Sequence, residues 1–152
     1  MAYTTASRLA SYIIFKAGDR GIRVSNLKLQ KLLYYCQAWH LAITGYPLFQ
    51  ERIEAWVHGP VVPLVFGSFK NYRWGDIPVP ASASIESGSE ELPIVDHVSE
   101  VLDVYGSMSG PALERLTHRE APWLDARAGI PTHEPSNEII SNDSMRLYYS
   151  SL

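Results

Sequence analysis

The sequence has few of the features that would place it in a membrane or an oxidising compartment. Cys36 is the single cysteine among 152 residues, so no disulfide can form within the chain and a reducing compartment is expected. No apolar run approaches the ~20 residues that cross a bilayer, and the first residues lack the basic and apolar regions of a secretory signal. We therefore expect a cytoplasmic protein without a membrane partner.

Familiar catalytic and cofactor-binding motifs are also absent from the sequence. It has no Cys-x-x-Cys or His-Glu-x-x-His spacing and no glycine-rich phosphate loop, so we expect no cofactor, no metal and no catalytic residues. One pair keeps an enzyme hypothesis open, because Cys36 and His40 lie four residues apart on a predicted helix, as a thiolate and its base would. Both fall on an apolar stripe, where such residues usually pack in the core.

The composition is that of one globular domain, which we place at residues 1–152. Hydrophobic residues make up 46% of the chain and charged residues 19%. The net charge of −3 provides no overall basic field for nucleic acid. However, residues 1–75 carry nine Lys and Arg against three Asp and Glu, and residues 76–152 carry four against thirteen. This asymmetry fits two halves that attract each other, a basic face that meets an acidic partner, or solvated charge without function.

Hydrophobic periodicity predicts a mainly α fold: a compact helical single domain around a central helix at about 26–44. Ser25 is a suitable N-cap for that helix and Gly45 a suitable residue to end it. The helix has two apolar stripes, one of Leu29, Leu32, Leu33, Cys36, His40 and Ile43, and one of Leu27, Tyr34, Ala38 and Leu41. A helix that is apolar on two sides is expected to pack between neighbours.

Two segments outside the helices stand out. The alternation near 53–57 predicts a short strand or hairpin. Residues 77–93 are rich in Pro, Ser, Ala and Glu without periodicity, which predicts a long flexible loop.

The central helix leaves only narrow polar strips between its apolar stripes. Gln30 and Gln37 form one strip, and Lys28, Lys31 and Tyr35 form the other. An exposed tyrosine beside lysines is typical of protein-binding surfaces, so Lys28, Lys31 and Tyr35 are the candidate partner-binding residues. The alternative is that the lysines only solvate the helix while Tyr35 packs under a neighbouring loop.

Three blocks of sequence resemble a known family. They are KLQKLLYY at 28–35, EAWVHGPVVP at 54–63 and HREAPW at 118–123. Together they resemble the Panacea domain, whose members are often labelled phage-associated and are known mainly as antitoxins encoded beside a toxin gene. The resemblance implies a non-enzymatic inhibitor whose partner is a cognate protein toxin.

The resemblance, which also includes the stretch QAWHL at 37–41, singles out residues whose role is expected to be structural: Leu29, Gln30, Leu32, Leu33, Tyr34, Trp39, Trp56, Gly59, Pro60, His118, Pro122 and Trp123. Two other functions stay open. The first is a DNA-binding regulator of a prophage or toxin–antitoxin operon, favoured only by the positive charge of residues 1–75. The second, and the weaker, is an enzyme that uses Cys36 and His40.

Overall fold

Helices dominate the computed structural model, which describes residues 2–89 and 92–152. The helices of this described part are α1 (Ala6–Asp19), α2 (Asn26–Thr44), α3 (Pro63–Phe69), α4 (Ile94–Tyr105), α5 (Gly110–Thr117), α6 (Ala121–Ala126) and α7 (Asn142–Ser150), with a 3-10 turn, Lys70–Tyr72, directly after α3. The strands are β1 (Ile53–Trp56), β2 (Gly59–Val61) and β3 (Ile139–Ile140). They form an antiparallel sheet in the order β2-β1-β3. The predicted mainly α domain, with a short strand near 53–57, is confirmed.

The ends of α2 are those that the sequence predicts. The Ser25 hydroxyl accepts a hydrogen bond from the Lys28 amide at 3.2 Å, which satisfies one free N–H of the first turn. Gly45 adopts the left-handed conformation, with φ of 82°, which a residue without a Cβ adopts at little cost.

α2 is the centre of the fold, packed against α1, α3, α4, α5, α7 and β2. Leu29, Leu32 and Leu33 are fully buried on one side of the helix, and Tyr34 and Ala38 are buried as well. The expected burial of both stripes is therefore correct along most of the helix. The stripe assignment fails at Ile43, which is 58% exposed because the last turn of α2 borders an open groove beside α4.

Buried polar side chains of α2 hold the backbone of neighbouring segments. The Gln30 side-chain oxygen accepts a hydrogen bond from the Val62 amide at 2.9 Å, just before α3 begins. Gln37 accepts one from the Leu48 amide at 2.7 Å and donates one to the Phe49 carbonyl at 2.9 Å. These contacts fix the backbone of the segment just before α3 and of the segment that follows α2.

The described part of the segment 77–93 contains no helix or strand. Its start is held by the Ile77 amide, which donates to the Val24 carbonyl at 2.8 Å. Farther on, Glu86 forms an ion pair with Arg8 of α1. Glu90 and Glu91 lie outside the described residues, and the flexibility expected for this loop stays a prediction.

Ion pairs connect the basic and acidic halves of the chain. Arg20 Nη1 lies 2.6 Å from Asp103 Oδ1, and the ion pair of Arg8 with Glu86 also connects the two halves. All four side chains are at least partly exposed, so each pair contributes about 0–1 kcal/mol. In the described residues, no helix combines the length and apolarity that crossing a membrane requires.

Truncation of the core residue Leu33 should strongly destabilise the fold. Leu33→Ala is expected to lower the free energy of unfolding by about 2–5 kcal/mol, because a cavity would open in the fully buried centre of α2. Ile43→Ala, at an exposed position in the last turn of the same helix, should cost less than about 0.5 kcal/mol. Urea unfolding of both variants provides the measurement, and equal costs would contradict the placement of α2.

Limited proteolysis tests the loop prediction. We expect the first cut between Ser25 and Leu152 to fall within 77–93, since exposed loops without periodic apolar residues open most easily. Mass spectrometry of the earliest fragments identifies the cut. A first cut inside α4 would contradict this organisation.

Candidate functional site

The three candidate partner-binding residues of α2 are buried. Lys28 is 8% exposed, and Lys31 and Tyr35 are fully buried. The expectation of an exposed strip is therefore wrong, because other segments cover this side of α2 and give each side chain an internal partner. Lys28 Nζ donates to the Gly106 carbonyl at 2.6 Å. Contact of these residues with a partner stays a prediction.

Lys31 lies beneath the β1–β2 hairpin and donates from Nζ to the Pro60 carbonyl at 3.0 Å. Gly59, with φ of 102°, allows this approach: a Cβ there would come within 2.6 Å of Lys31 Cε and 2.9 Å of Thr117 Oγ1. Burial lowers the pKa of Lys31 from 10.5 to about 7, although nearby Glu114 opposes the shift. Two of the family-like blocks therefore meet at this lysine.

Tyr35 belongs to a buried cluster around Glu120. Tyr35 and Tyr149 donate to Glu120 Oε1 at 2.6 Å and 2.9 Å, and the hydroxyl of Tyr34 lies 2.9 Å from that of Tyr149. Burial raises the pKa of all three tyrosines and of Glu120. The phenols are therefore neutral at physiological pH, and the cluster joins α2 to α7 and to the residue before α6.

The second and third blocks also contact each other. The indole of Trp123 donates to the Trp56 carbonyl at 2.8 Å, and the ring of His118 stacks on Trp123 with centroids 4.0 Å apart. Pro122, in the first turn of α6, is buried. Trp39, by contrast, donates to the Tyr105 hydroxyl at 2.8 Å, on the α4 side of the central helix.

The Cys36–His40 pair does not have the geometry of a nucleophile and its base. Cys36 is fully buried, and burial raises the pKa of its thiol, which keeps it protonated at neutral pH. His40 Nδ1 lies 2.5 Å from the Tyr46 carbonyl, so that nitrogen donates to the backbone. Over residues 2–89 and 92–152, no cluster of three or more His, Cys, Asp or Glu could hold a metal ion.

Sequence reasoning overlooked an exposed segment that follows α3. All residues from Lys70 to Trp74 are exposed, and Trp74 is 78% exposed. Arg73 is, among the described residues, the one non-glycine residue with positive φ, at 55°. Tyr, Arg and Trp in succession at 72–74 are the residue types that dominate protein-binding hot spots. This run of three residues is the feature of the sequence from which the exposed segment could have been predicted.

Trp74 borders a groove between α2, the hairpin and α3. We call it the Trp74 groove; its volume is about 360 Å³, and its lining includes Trp56, His58, Phe66, Lys70, Arg73 and Trp74. The buried Lys31 also lines it, so one of the three predicted residues lies at this site while Lys28 and Tyr35 do not. None of the described residues that line it carries a carboxylate. The groove thus combines aromatic surface with positive charge.

The buried Lys31 should make stability depend on pH. Between about pH 7 and 10.5 the unfolded chain binds a proton at Lys31 that the folded chain does not. The free energy of unfolding should therefore rise with pH in this range, by up to ~1.4 kcal/mol per pH unit from this group. Lys31→Met should flatten the slope measured by urea unfolding between about pH 7 and 9, whereas Lys16→Met in α1 should not. Equal slopes in the two variants would contradict the assignment.

Comparison with known proteins places this structure in a family. Residues 29–124 match the family described as "Antitoxin SocA-like, Panacea domain". The chain is also 32% identical over 127 residues to Antitoxin SocA of Caulobacter vibrioides (strain NA1000 / CB15N). This alignment covers 78% of this chain and 68% of that protein. No solved structure gives a significant match. The matched residues contain nearly all of the three blocks that meet around α2, and the chain belongs to the SocA-like antitoxin family with a Panacea domain.

Proposed function

We propose that this protein neutralises a toxin encoded by a neighbouring gene, through direct protein–protein binding. The observation that carries the proposal is the similarity to Antitoxin SocA, which extends over 78% of this chain. An antitoxin of this kind needs a stable surface that recognises one protein. It does not need a reactive group.

Two features of the molecule support binding as the mechanism. The sole thiol, Cys36, is buried and its pKa is raised, so it is a poor nucleophile at neutral pH. In contrast, Tyr72, Arg73 and Trp74 present hot-spot side chains to solvent beside a groove. Both features favour a role in recognition over a role in catalysis.

Co-expression with the neighbouring gene tests the proposed function. The neighbouring gene expressed alone should stop growth, and this chain expressed with it should restore growth. An affinity-tagged copy of the chain should retain the neighbour's protein through purification, because neutralisation by contact requires a lasting complex. If growth is restored without a complex, or is not restored at all, direct neutralisation is wrong.

Cys36→Ala provides the matched control for the enzyme alternative. A binding protein should restore growth equally well with this variant, since Cys36 has no exposed atoms with which to contact a partner. If the variant melts like the parent but no longer restores growth, a chemical role for Cys36 is favoured instead.

A further inference from the structure

We propose that the Trp74 groove is the docking site for the toxin, and that it receives an acidic segment carrying an aromatic or aliphatic anchor side chain. This inference rests on the proposed function and adds the location of the contact and the chemistry of the partner. Three independent properties of the groove lead to it: its charge, its aromatic lining and its supporting hydrogen bonds.

The charge of the groove is opposite to that of the whole chain. Lys70 and Arg73 are exposed at its edge, and none of the described lining residues is acidic. The chain as a whole carries a net charge of −3. A locally positive groove on an acidic protein attracts acidic groups and fixes their orientation, and it does so mainly by speeding the encounter.

The aromatic lining of the groove favours an apolar anchor side chain in the partner. Trp74 is largely solvent-exposed, and behind it the rings of Trp56 and Phe66 meet edge to face with centroids 5.1 Å apart. The volume of about 360 Å³ lies near the lower end of the ~300–1,000 Å³ of ligand pockets. Such a groove has room for one or two side chains of a protein segment, and burying them against three rings would supply most of the affinity.

Hydrogen bonds hold the walls of the groove in place. Trp56 Nε1 donates to Glu54 Oε1 at 2.9 Å, and Asn26 Nδ2 donates to the Phe66 carbonyl at 3.1 Å. Preformed walls lose little conformational entropy when a partner docks. Arg73 holds a backbone conformation that costs a non-glycine residue free energy, and such strain is concentrated at functional sites. The backbone conformation of Arg73 positions Trp74 outside the core.

Single-stranded nucleic acid also binds aromatic and cationic surfaces, but the charges here favour a protein. The groove offers two exposed cations, Lys70 and Arg73, whereas nucleic-acid sites commonly neutralise several phosphates. One or two carboxylates of a protein segment match this small number of cations.

The test measures the affinity of purified variants for the protein encoded by the neighbouring gene. Trp74→Ala should weaken the dissociation constant at least tenfold, mainly by faster dissociation. The double variant Lys70→Glu with Arg73→Glu should weaken it similarly, mainly by slower association, and should reduce the salt dependence of binding. Because these side chains are exposed, all variants should melt like the parent.

The matched controls change the same residue types elsewhere. Tyr46→Ala removes an aromatic side chain that is 58% exposed just beyond the opposite end of α2. Arg146→Glu reverses a charge on α7, from which no described residue lines the groove. Neither control should weaken binding by more than about twofold, a change of less than 0.5 kcal/mol.

The outcomes separate this inference from the proposed function. If the parent chain does not bind the neighbour's protein, both are wrong. If the parent binds and the groove variants bind equally well, the docking site is wrong and the neutralising function stands. A fluorescent oligothymidylate that binds the parent but not Trp74→Ala, while toxin binding is unchanged, would make the groove a nucleic-acid site and overturn the proposal.

Discussion

The fold depends on one constraint: polar side chains buried on the central helix must find hydrogen-bond partners. A buried polar group without a partner costs about 1–3 kcal/mol, and α2 carries polar groups along most of its length. Lys31 contacts the hairpin, Gln30 the start of α3, and Gln37 the segment after Gly45. The helix therefore does more than supply apolar area, because its polar groups select the positions of the loops around it.

This constraint explains which parts of the structure the sequence could predict. The caps of α2 are local, since Ser25 bonds an amide three residues away and Gly45 needs only its own φ. The partners of Lys31 and Tyr35 are 29 and 85 residues away. A helical wheel cannot detect such distant partners, so it assigns polar positions to solvent. The mainly α architecture was predictable for the first reason, and the burial of the two lysines was unpredictable for the second, whereas the burial of Tyr35 was one of the two alternatives that the sequence left open.

The same reasoning applies to the candidate site. Apolar periodicity marks aromatic residues as core, and it gives no means of recognising that Trp74 is exposed after the 3-10 turn. Its exposure depends on where α3 ends and on the unusual φ of Arg73, neither of which has an apolar pattern. The groove further requires α2, the hairpin and α3 to come together, through contacts such as that between Asn26 and the Phe66 carbonyl. Residue types could suggest a hot spot at 72–74, but only the fold places a groove beside it.

The groove has a buried lining and an exposed edge, and substitutions in these two parts would differ in their effect on the stability of the fold. Lys31 and Trp56 belong to the blocks that resemble the Panacea family, and both make internal hydrogen bonds, to Pro60 and Glu54. Changes there would disturb the hairpin as well as any bound partner. Lys70, Arg73 and Trp74 lie outside those blocks and are exposed, and substitutions at exposed positions usually alter stability by less than about 0.5 kcal/mol. In the proposed docking site, the choice of toxin can therefore reside in the exposed edge while the buried lining preserves the fold.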